Sequence, residues 1–149
     1  FIEHYRADIA RDSVPFPGAA AALDALAAEG AKLAICTNKR TDLSQLLLEA
    51  LGLAAKFSAI IGADAVAQRK PHPEHYRAAV SRAGGSVRRS LMVGDTATDV
   101  AAAKGAGAPV ALVRFGYSEQ DVERLGADAV IDRYSDLLGA ARRLLALRP

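Results

Sequence analysis

Short apolar segments alternate along this sequence with alanine- and leucine-rich segments that have helical spacing. Strands are predicted at Lys32–Cys36, Phe57–Ile61, Ser90–Val93, Pro109–Val113 and Ala129–Ile131. Helices are predicted at Phe1–Asp12, Ala19–Glu29, Thr41–Leu51, Glu74–Ala83, Thr98–Lys104, Ser118–Leu125 and Tyr134–Leu147. Strands that alternate with helices of about ten residues are typical of βαβ units. The fold is therefore predicted to be α/β, with a Rossmann-like parallel sheet flanked by helices in three layers.

Length and composition exclude several other kinds of protein. At 149 residues the chain is long enough for one domain with a substantial core. Its net charge of +2 is too small to indicate a nucleic-acid or membrane partner, and its single cysteine, Cys36, excludes a disulfide framework. No apolar run approaches the roughly 18 residues of a membrane span. We therefore expect a cytoplasmic protein that binds neither nucleic acid nor membrane, while the oligomeric state stays open.

The stretch Ser90–Asp99, SLMVGDTATD, combines a predicted strand with two carboxylates. The apolar run ends at Gly94, Asp95 follows at the strand end, and Asp99 falls in the first turn of the next predicted helix. Parallel sheets bind ligands at the carboxyl ends of their strands, and carboxylate oxygens suit Mg²⁺. The alternative is that Asp95 is a turn residue and Asp99 caps the helix, because both are common uses of aspartate.

Polar side chains also follow two other predicted strands. Thr37 and Asn38 follow the first strand, and Lys70 lies in the loop after the second. Because right-handed crossovers bring parallel strand ends to one edge, these side chains are expected to converge with Asp95 and Asp99. A hydroxyl and an ammonium suit phosphate oxygens, and with a divalent ion they suit phosphoryl transfer. Taken singly, Thr37-Asn38 could cap a helix and Lys70 could be a surface charge.

Three other side chains with reactive or ligating chemistry are assigned no function. His72 and His75 are predicted to lie on the surface of a loop and a helix, and Cys36 is predicted to be buried and inert. Gly105–Gly107 contains a Gly-x-Gly, but it follows a helix, so it lacks the strand-then-helix order of a dinucleotide site.

The combination of these segments resembles the haloacid dehalogenase superfamily of phosphotransferases. Ile35-Cys36-Thr37-Asn38 looks like the family's second motif, Lys70-Pro71-His72-Pro73 like its third, and Gly94–Asp99 like its fourth, Gly-Asp-x-x-x-Asp. Their order and spacing agree over nearly the whole chain. Within the superfamily, Thr37-Asn38-Lys39, Lys70-Pro71-His72-Pro73 and Gly116-Tyr117 are most similar to phosphoglycolate phosphatases. Sugar-phosphate phosphatases and phosphonate hydrolases share much of this pattern.

The resemblance implies a Mg²⁺-dependent phosphatase for a small phosphate monoester, with 2-phosphoglycolate as the best candidate. It assigns catalytic roles to Thr37 and Lys70 as ligands of the phosphoryl group, and a substrate-placing role to Asn38. It makes Asp95 a direct ligand of Mg²⁺ and Asp99 a supporting one. It also implies an aspartate nucleophile that forms an aspartyl-phosphate, and a second aspartate as general acid and base. Open alternatives are a phosphonatase, a phosphomutase, and a non-catalytic remnant that binds phosphate or a partner protein.

The sequence departs from the family at its first motif, Asp-x-Asp after an apolar strand, which does not occur before Thr37. The aspartates in that region are Asp8, Asp12 and Asp24, and none follows a strand-like run. We therefore expect that the N-terminal strand and most of a helical cap are missing. Residues 1–14 are then the C-terminal remnant of that cap, and residues 15–149 are an incomplete core.

The missing strand has a structural consequence. In the family it lies between the strands that carry Thr37 and Asp95. The 149-residue chain alone is therefore expected to be poorly stable, because two strand edges lack a partner, unless those edges pair with each other or with another chain. It is also expected to be inactive, because the nucleophile is missing.

Overall fold

The computed structural model describes residues 17–116, 118 and 120–146, which form five α-helices and five β-strands. The helices are α1 (Ala19–Ala28), α2 (Thr41–Ala50), α3 (Pro73–Arg82), α4 (Ala97–Ala106) and α5 (Leu137–Ala146). The strands are β1 (Ala34–Cys36), β2 (Ala59–Ile61), β3 (Met92–Gly94), β4 (Val110–Val113) and β5 (Ala129–Ile131). Strands and helices alternate as predicted, which confirms the α/β class. None of these helices is long and apolar enough to cross a membrane.

The local sequence explains where α3 begins and ends. Pro73 occupies the first helical position, where its missing N–H would have no helical partner and its φ angle already suits a helix. The His72 ring caps the helix, since its Nδ1 accepts a hydrogen bond from the Glu74 N–H at 3.1 Å. The helix stops before Gly84, whose φ of +80° is in the region that favours glycine.

The described strands pair as two parallel sheets. β1 pairs with β2, with Ile35 opposite Ile60, while β4 lies between β3 and β5, with Leu112 opposite Val130. The other edges of β1 and β3 pair with no described strand. Val93 in β3 is 36% exposed, which is unusual for an apolar residue in a parallel sheet. The family resemblance predicts a missing strand between these two edges, and no described strand fills that place.

The core lies on both faces of β4, whose four residues are buried. One buried cluster joins β4 to α3 and α4 and contains Tyr76, Met92, Val100, Ala102, Ala103, Ala108, Val110, Leu112 and Val122. The other joins β4 to α1 and α5 and contains Ala22, Val113, Ile131, Leu137 and Ala140. Because successive strand residues point to opposite faces, Leu112 and Val113 pack against different helix layers. This arrangement confirms the predicted three layers.

The segment after β4 is less helical than predicted. A helix is expected at Ser118–Leu125, but the described residues there hold a single 3₁₀ turn, Val122–Arg124. Ser118 Oγ accepts a hydrogen bond from the Gln120 N–H at 3.1 Å, a local bond that competes with helix formation. Two other predictions fall outside the described residues: the helix at Phe1–Asp12 and the cap remnant at residues 1–14.

Candidate active site

The loops after β1 and β2 meet at the carboxyl ends of these strands. Thr37 follows β1, and its N–H donates to the carbonyl of Ile61, the last residue of β2, at 3.1 Å. Asn38 donates from Nδ2 to the Lys70 carbonyl at 3.0 Å. Thr37 Oγ1 accepts from the Lys39 N–H at 3.1 Å, which holds the hydroxyl within this turn. The structure therefore brings Thr37, Asn38 and Lys70 to one edge.

A buried ion pair joins this edge to the three-stranded sheet. Lys70 Nζ lies 2.7 Å from Asp99 Oδ1, and the two side chains are 9% and 7% exposed. Asp99 belongs to the first turn of α4, which follows β3. Removing one partner would leave the other charge buried and uncompensated, which is strongly unfavourable. Lys70 is therefore held inside the site, and the alternative that it is a surface charge is wrong.

The second carboxylate oxygen of Asp99 binds the start of its own helix. Oδ2 accepts from the N–H groups of Asp95 and Thr96 at 3.0 and 3.2 Å, and from Thr96 Oγ1 at 3.1 Å. Burial alone would raise the pKa of Asp99, but the Lys70 ammonium and these N–H groups hold the pKa below its ordinary value. Asp99 is thus a helix cap and an ion-pair partner, and its metal role stays a prediction.

Asp95 and Asp99 each lie against a glycine. A Cβ placed on Gly116 would be 2.7 Å from Asp95 Oδ2, and a Cβ placed on Gly94 would be 2.6 Å from Asp99 Cβ. Neither glycine has a positive φ, so close approach and not backbone freedom requires glycine there. Burial raises the pKa of the Tyr134 hydroxyl, and the Asp95 charge raises this pKa further.

The donor chemistry at this edge fits Mg²⁺ bound together with a ligand. No group of three His, Cys, Asp or Glu side chains in the described ranges is arranged to hold a metal ion. Mg²⁺ usually takes one or two carboxylates and completes its shell with water and substrate phosphate oxygens. Asp95, which is half-buried, offers one such carboxylate, while both oxygens of Asp99 are already bound by Lys70 and by the start of α4, so that Asp99 could support the ion only indirectly. The residues present therefore fit a Mg²⁺ ion that is bound jointly by the protein and a phosphorylated ligand. They do not fit an ion that is held by protein side chains alone.

His75 is fully buried, so the prediction that it lies on the helix surface is wrong. Its Nδ1 accepts from the Lys70 N–H at 3.1 Å, and its Nε2 lies 2.9 Å from the Ile61 carbonyl oxygen. Burial lowers the pKa of His75, and the Lys70 charge acts in the same direction. The helical spacing of the sequence does indicate that His75 is buried, because His75 lies one helical turn before the buried Ala79 and so on the same face. His72 is exposed, as predicted.

Asp64 is a second residue that the sequence analysis missed. Its Oδ1 accepts from the N–H and the Oγ1 of Thr41 at 2.7 and 2.9 Å. Thr41 Oγ1 accepts in turn from the Gly62 N–H at 3.0 Å. These bonds tie the loop after β2 to the start of α2, and they lower the pKa of Asp64. No local pattern marks the contact, because the partners are 23 positions apart in the sequence.

Cys36 lies near the ion pair but is not activated. Cys36 is only partly buried, so the prediction that it is buried is not confirmed. Burial raises the pKa of the thiol to about 11. The Lys70 charge lowers this pKa and the Asp99 charge raises it, both by less than burial does. A thiol that stays protonated at neutral pH is a poor nucleophile, in agreement with the prediction that Cys36 is inert.

Parallel strands whose carboxyl ends bring together a hydroxyl, an amide, a buried lysine and two carboxylates define an α/β protein with a polar cluster at the edge where such sheets bind ligands. The family model of the haloacid dehalogenase-like hydrolases matches residues 1–107. A phosphoglycolate phosphatase of Caulobacter vibrioides is 48% identical over 149 residues, which are 100% of this chain and 63% of that protein. The chain therefore belongs to the haloacid dehalogenase-like hydrolase family, which confirms the resemblance.

Two solved structures share the fold. A predicted phosphoglycolate phosphatase from Haemophilus somnus has a TM-score of 0.86 at 30% identity, over 93% of this chain and 62% of that one. CbbY from Rhodobacter sphaeroides, solved with xylulose-(1,5)bisphosphate, has a TM-score of 0.79 at 27% identity, over 91% of this chain and 61% of that one. The chain thus spans less than two thirds of the length of each of these relatives.

Proposed function

We propose that this protein is a phosphatase that hydrolyses a small phosphate monoester, with 2-phosphoglycolate as the first candidate substrate. The observation that carries the proposal is the buried Lys70–Asp99 ion pair at the edge where Thr37 and Asn38 also lie. An ammonium fixed beside a hydroxyl and an amide is suited to bind a phosphoryl group. The name of the Caulobacter vibrioides relative supports the choice of substrate.

Each residue of the site has a role in this proposal. Thr37 and Lys70 contact the phosphoryl oxygens, and Asn38 places the rest of the substrate. Asp95 would hold Mg²⁺ with Asp99 in support, and the ion would supply positive charge against the phosphate oxygens. The carboxylate that attacks phosphorus to form an aspartyl-phosphate, and the aspartate that acts as general acid and base, lie outside this chain. The protein acts in the cytoplasm, with no nucleic-acid or membrane partner.

The test is phosphate release by the protein as its gene encodes it, including any residues encoded before Phe1. We expect hydrolysis of 2-phosphoglycolate that requires Mg²⁺ and stops in EDTA. Lys70→Met should lower kcat/KM by about 100-fold or more, because a preorganised electrostatic donor is worth about that much. Lys104→Met is the matched control, since Lys104 is half-exposed and pairs with Asp128 near the amino end of β4. Equal activity in the two variants would contradict the role of Lys70.

The 149-residue chain provides a second arm of the test. We expect no turnover from it, because the attacking carboxylate is absent from the proposed set of residues. Metal-dependent hydrolysis by this chain, lost on Asp95→Ala, would overturn the proposal that the nucleophile lies elsewhere.

A sugar phosphate is the second candidate substrate, because CbbY was solved with a sugar bisphosphate. A panel of 2-phosphoglycolate, xylulose 1,5-bisphosphate and glucose 1-phosphate separates the two, and the highest kcat/KM identifies the substrate class. Isomerised sugar phosphate without net phosphate release would indicate a phosphomutase, and cleavage of a phosphonate would indicate a phosphonatase. Calorimetric binding of inorganic phosphate with no turnover on any substrate would indicate a non-catalytic binding protein.

A further inference from the structure

We infer that His75 is a positioning residue for Lys70: its buried neutral ring fixes the Lys70 main chain so that the ammonium stays at the phosphoryl position. The inference rests on the proposed function, in which Lys70 contacts the phosphoryl group. It is carried by the two hydrogen bonds of the ring, by the tautomer that they impose, and by the path that they complete to Thr37.

Both ring nitrogens of His75 are bound inside the protein. Nδ1 lies 3.1 Å from the Lys70 nitrogen and Nε2 lies 2.9 Å from the Ile61 oxygen, while the residue is 0% exposed. The ring therefore spans from the end of β2 to the loop that carries Lys70. Because both partners are main-chain atoms, the ring fixes backbone positions rather than mobile side chains.

The partners of the ring allow one protonation state. The Lys70 N–H can only donate, so Nδ1 must be the acceptor, and the Ile61 carbonyl can only accept, so Nε2 must carry the proton. A doubly protonated ring would direct Nδ1–H at the Lys70 N–H and lose that bond. It would also add a positive charge close to the Lys70 ammonium.

The Ile61 carbonyl connects this ring to Thr37. The oxygen accepts from the Thr37 N–H at 3.1 Å as well as from the His75 ring, which uses both of its lone pairs. A chain of three hydrogen bonds therefore runs from Thr37 through Ile61 and His75 to Lys70. It links the two residues that the proposed function places on the phosphoryl oxygens.

Lys70 is held at three points by this network. Its N–H is bound by His75, its carbonyl by Asn38 Nδ2, and its Nζ by Asp99 Oδ1. A lysine side chain is long and flexible, so a fixed main chain is needed before its ammonium can be placed accurately. His75 provides the anchor on the N–H side.

Two variants separate positioning of Lys70 from simple filling of the core. His75→Asn keeps an acceptor near the place of Nδ1, and His75→Gln keeps a donor near the place of Nε2. Both replace a buried ring with a smaller amide, so a merely structural role predicts similar losses of stability and activity. His72→Gln is the matched control, because His72 is exposed and its ring bonds only within its own helix terminus.

In the protein as encoded, His75→Gln should lower kcat for the best substrate by about 10- to 100-fold, the effect of misplacing a catalytic group by about 1 Å. His75→Asn should lose much less activity at an equal loss of thermal stability, and His72→Gln should match the wild type. Equal losses in the two His75 variants, no loss in either, or the larger loss in His75→Asn would overturn the inference.

Labelling of lysines gives a readout that does not depend on turnover. Acetic anhydride labelling, followed by peptide mass spectrometry, should show Lys70 modified several-fold faster in His75→Gln than in His75→Asn or the wild type. Lys104 is the internal standard. If the wild type hydrolyses none of the phosphate esters, the proposed function fails, yet labelling still decides whether His75 restrains Lys70. Equal Lys70 labelling in all three proteins would contradict the inference.

The wild type alone provides a final test if a His75 variant does not fold. The ¹⁵N chemical shifts of the His75 ring at pH 7 should identify the neutral tautomer protonated at Nε2. A ring protonated at Nδ1, or at both nitrogens, would exclude the Lys70 N–H as a donor to it and overturn the inference.

Discussion

Gly116 approaches Asp95 so closely that a single methyl group should disturb the carboxylate. In Gly116→Ala the new Cβ would be 2.7 Å from Asp95 Oδ2, well inside contact distance. If Asp95 holds Mg²⁺ as proposed, we expect the Mg²⁺ concentration for half-maximal activity to rise about 10- to 100-fold, the range seen when the support of a metal ligand is removed. A Mg²⁺ titration of phosphate release measures this shift.

Gly139 provides the matched control for that substitution. It lies within α5, and a Cβ built on it would meet nothing within 4 Å. Gly139→Ala should therefore leave the Mg²⁺ dependence unchanged and raise the free energy of unfolding by about 0.5–1 kcal/mol, since alanine is the better helix former. Similar Mg²⁺ dependence in both alanine variants would argue against a metal role for Asp95.

His75 should make stability depend on pH in a defined direction. Burial holds the pKa of His75 below the ordinary value of about 6.5, so below that pH the unfolded chain takes up a proton that the folded protein does not. The neutral ring therefore contributes its full stabilisation above pH 6.5. As the pH falls below that value, the free energy of unfolding decreases by at most about 1.4 kcal/mol per pH unit. Urea unfolding at pH 7.5, 6.5 and 5.5 should show a steeper fall for the wild type than for His75→Asn. Parallel curves would contradict this prediction.

At the scale of elements, Asp64 holds the start of α2 to the loop after β2. Its bonds to the Thr41 N–H and hydroxyl lower the pKa of Asp64, so the carboxylate stabilises the fold above the ordinary value of about 3.9. Asp64→Ala should lower the melting temperature at pH 7, and the difference from the wild type should shrink as the pH falls towards 3. Asp24→Ala, which removes an exposed ion pair with Lys56, should have a smaller effect. If the difference in melting temperature between Asp64→Ala and the wild type does not change with pH, the stabilisation does not come from the ionised carboxylate of Asp64.

The element level also shows what the sequence could predict. The convergence of Thr37, Lys70 and Asp99 could be predicted, because parallel topology brings strand ends to one edge whatever the details of packing. The contacts of His75 and Asp64 could not be predicted, because they depend on how helices, strands and loops pack against one another, which no local pattern records. The composition of Ser118–Leu125 favours a helix, but the structure has only the 3₁₀ turn Val122–Arg124 there. The hydrogen bond from the Gln120 N–H to Ser118 Oγ competes with helix formation.

At the scale of the whole molecule, the edges of β1 and β3 that pair with no described strand should make the 149-residue chain associate with itself. We expect a broad thermal transition and a hydrodynamic size that grows with concentration. Val93→Lys, which places a charge at the exposed position of β3, should reduce the association, because lysine discourages edge pairing. Size-exclusion chromatography at several concentrations measures it, and a monomer with one sharp melting transition would contradict the expectation.

The shared acceptor at Ile61 has a consequence for how variation in this family should be interpreted. The oxygen that joins Thr37 to His75 belongs to the peptide group, so no exchange of the Ile61 side chain removes it. In a mutational scan, position 61 should tolerate any apolar side chain that fills the same space, while position 75 should tolerate almost none. The connection between the two residues that we propose bind phosphate would therefore depend on the main chain and would not be detected by comparisons of side chains.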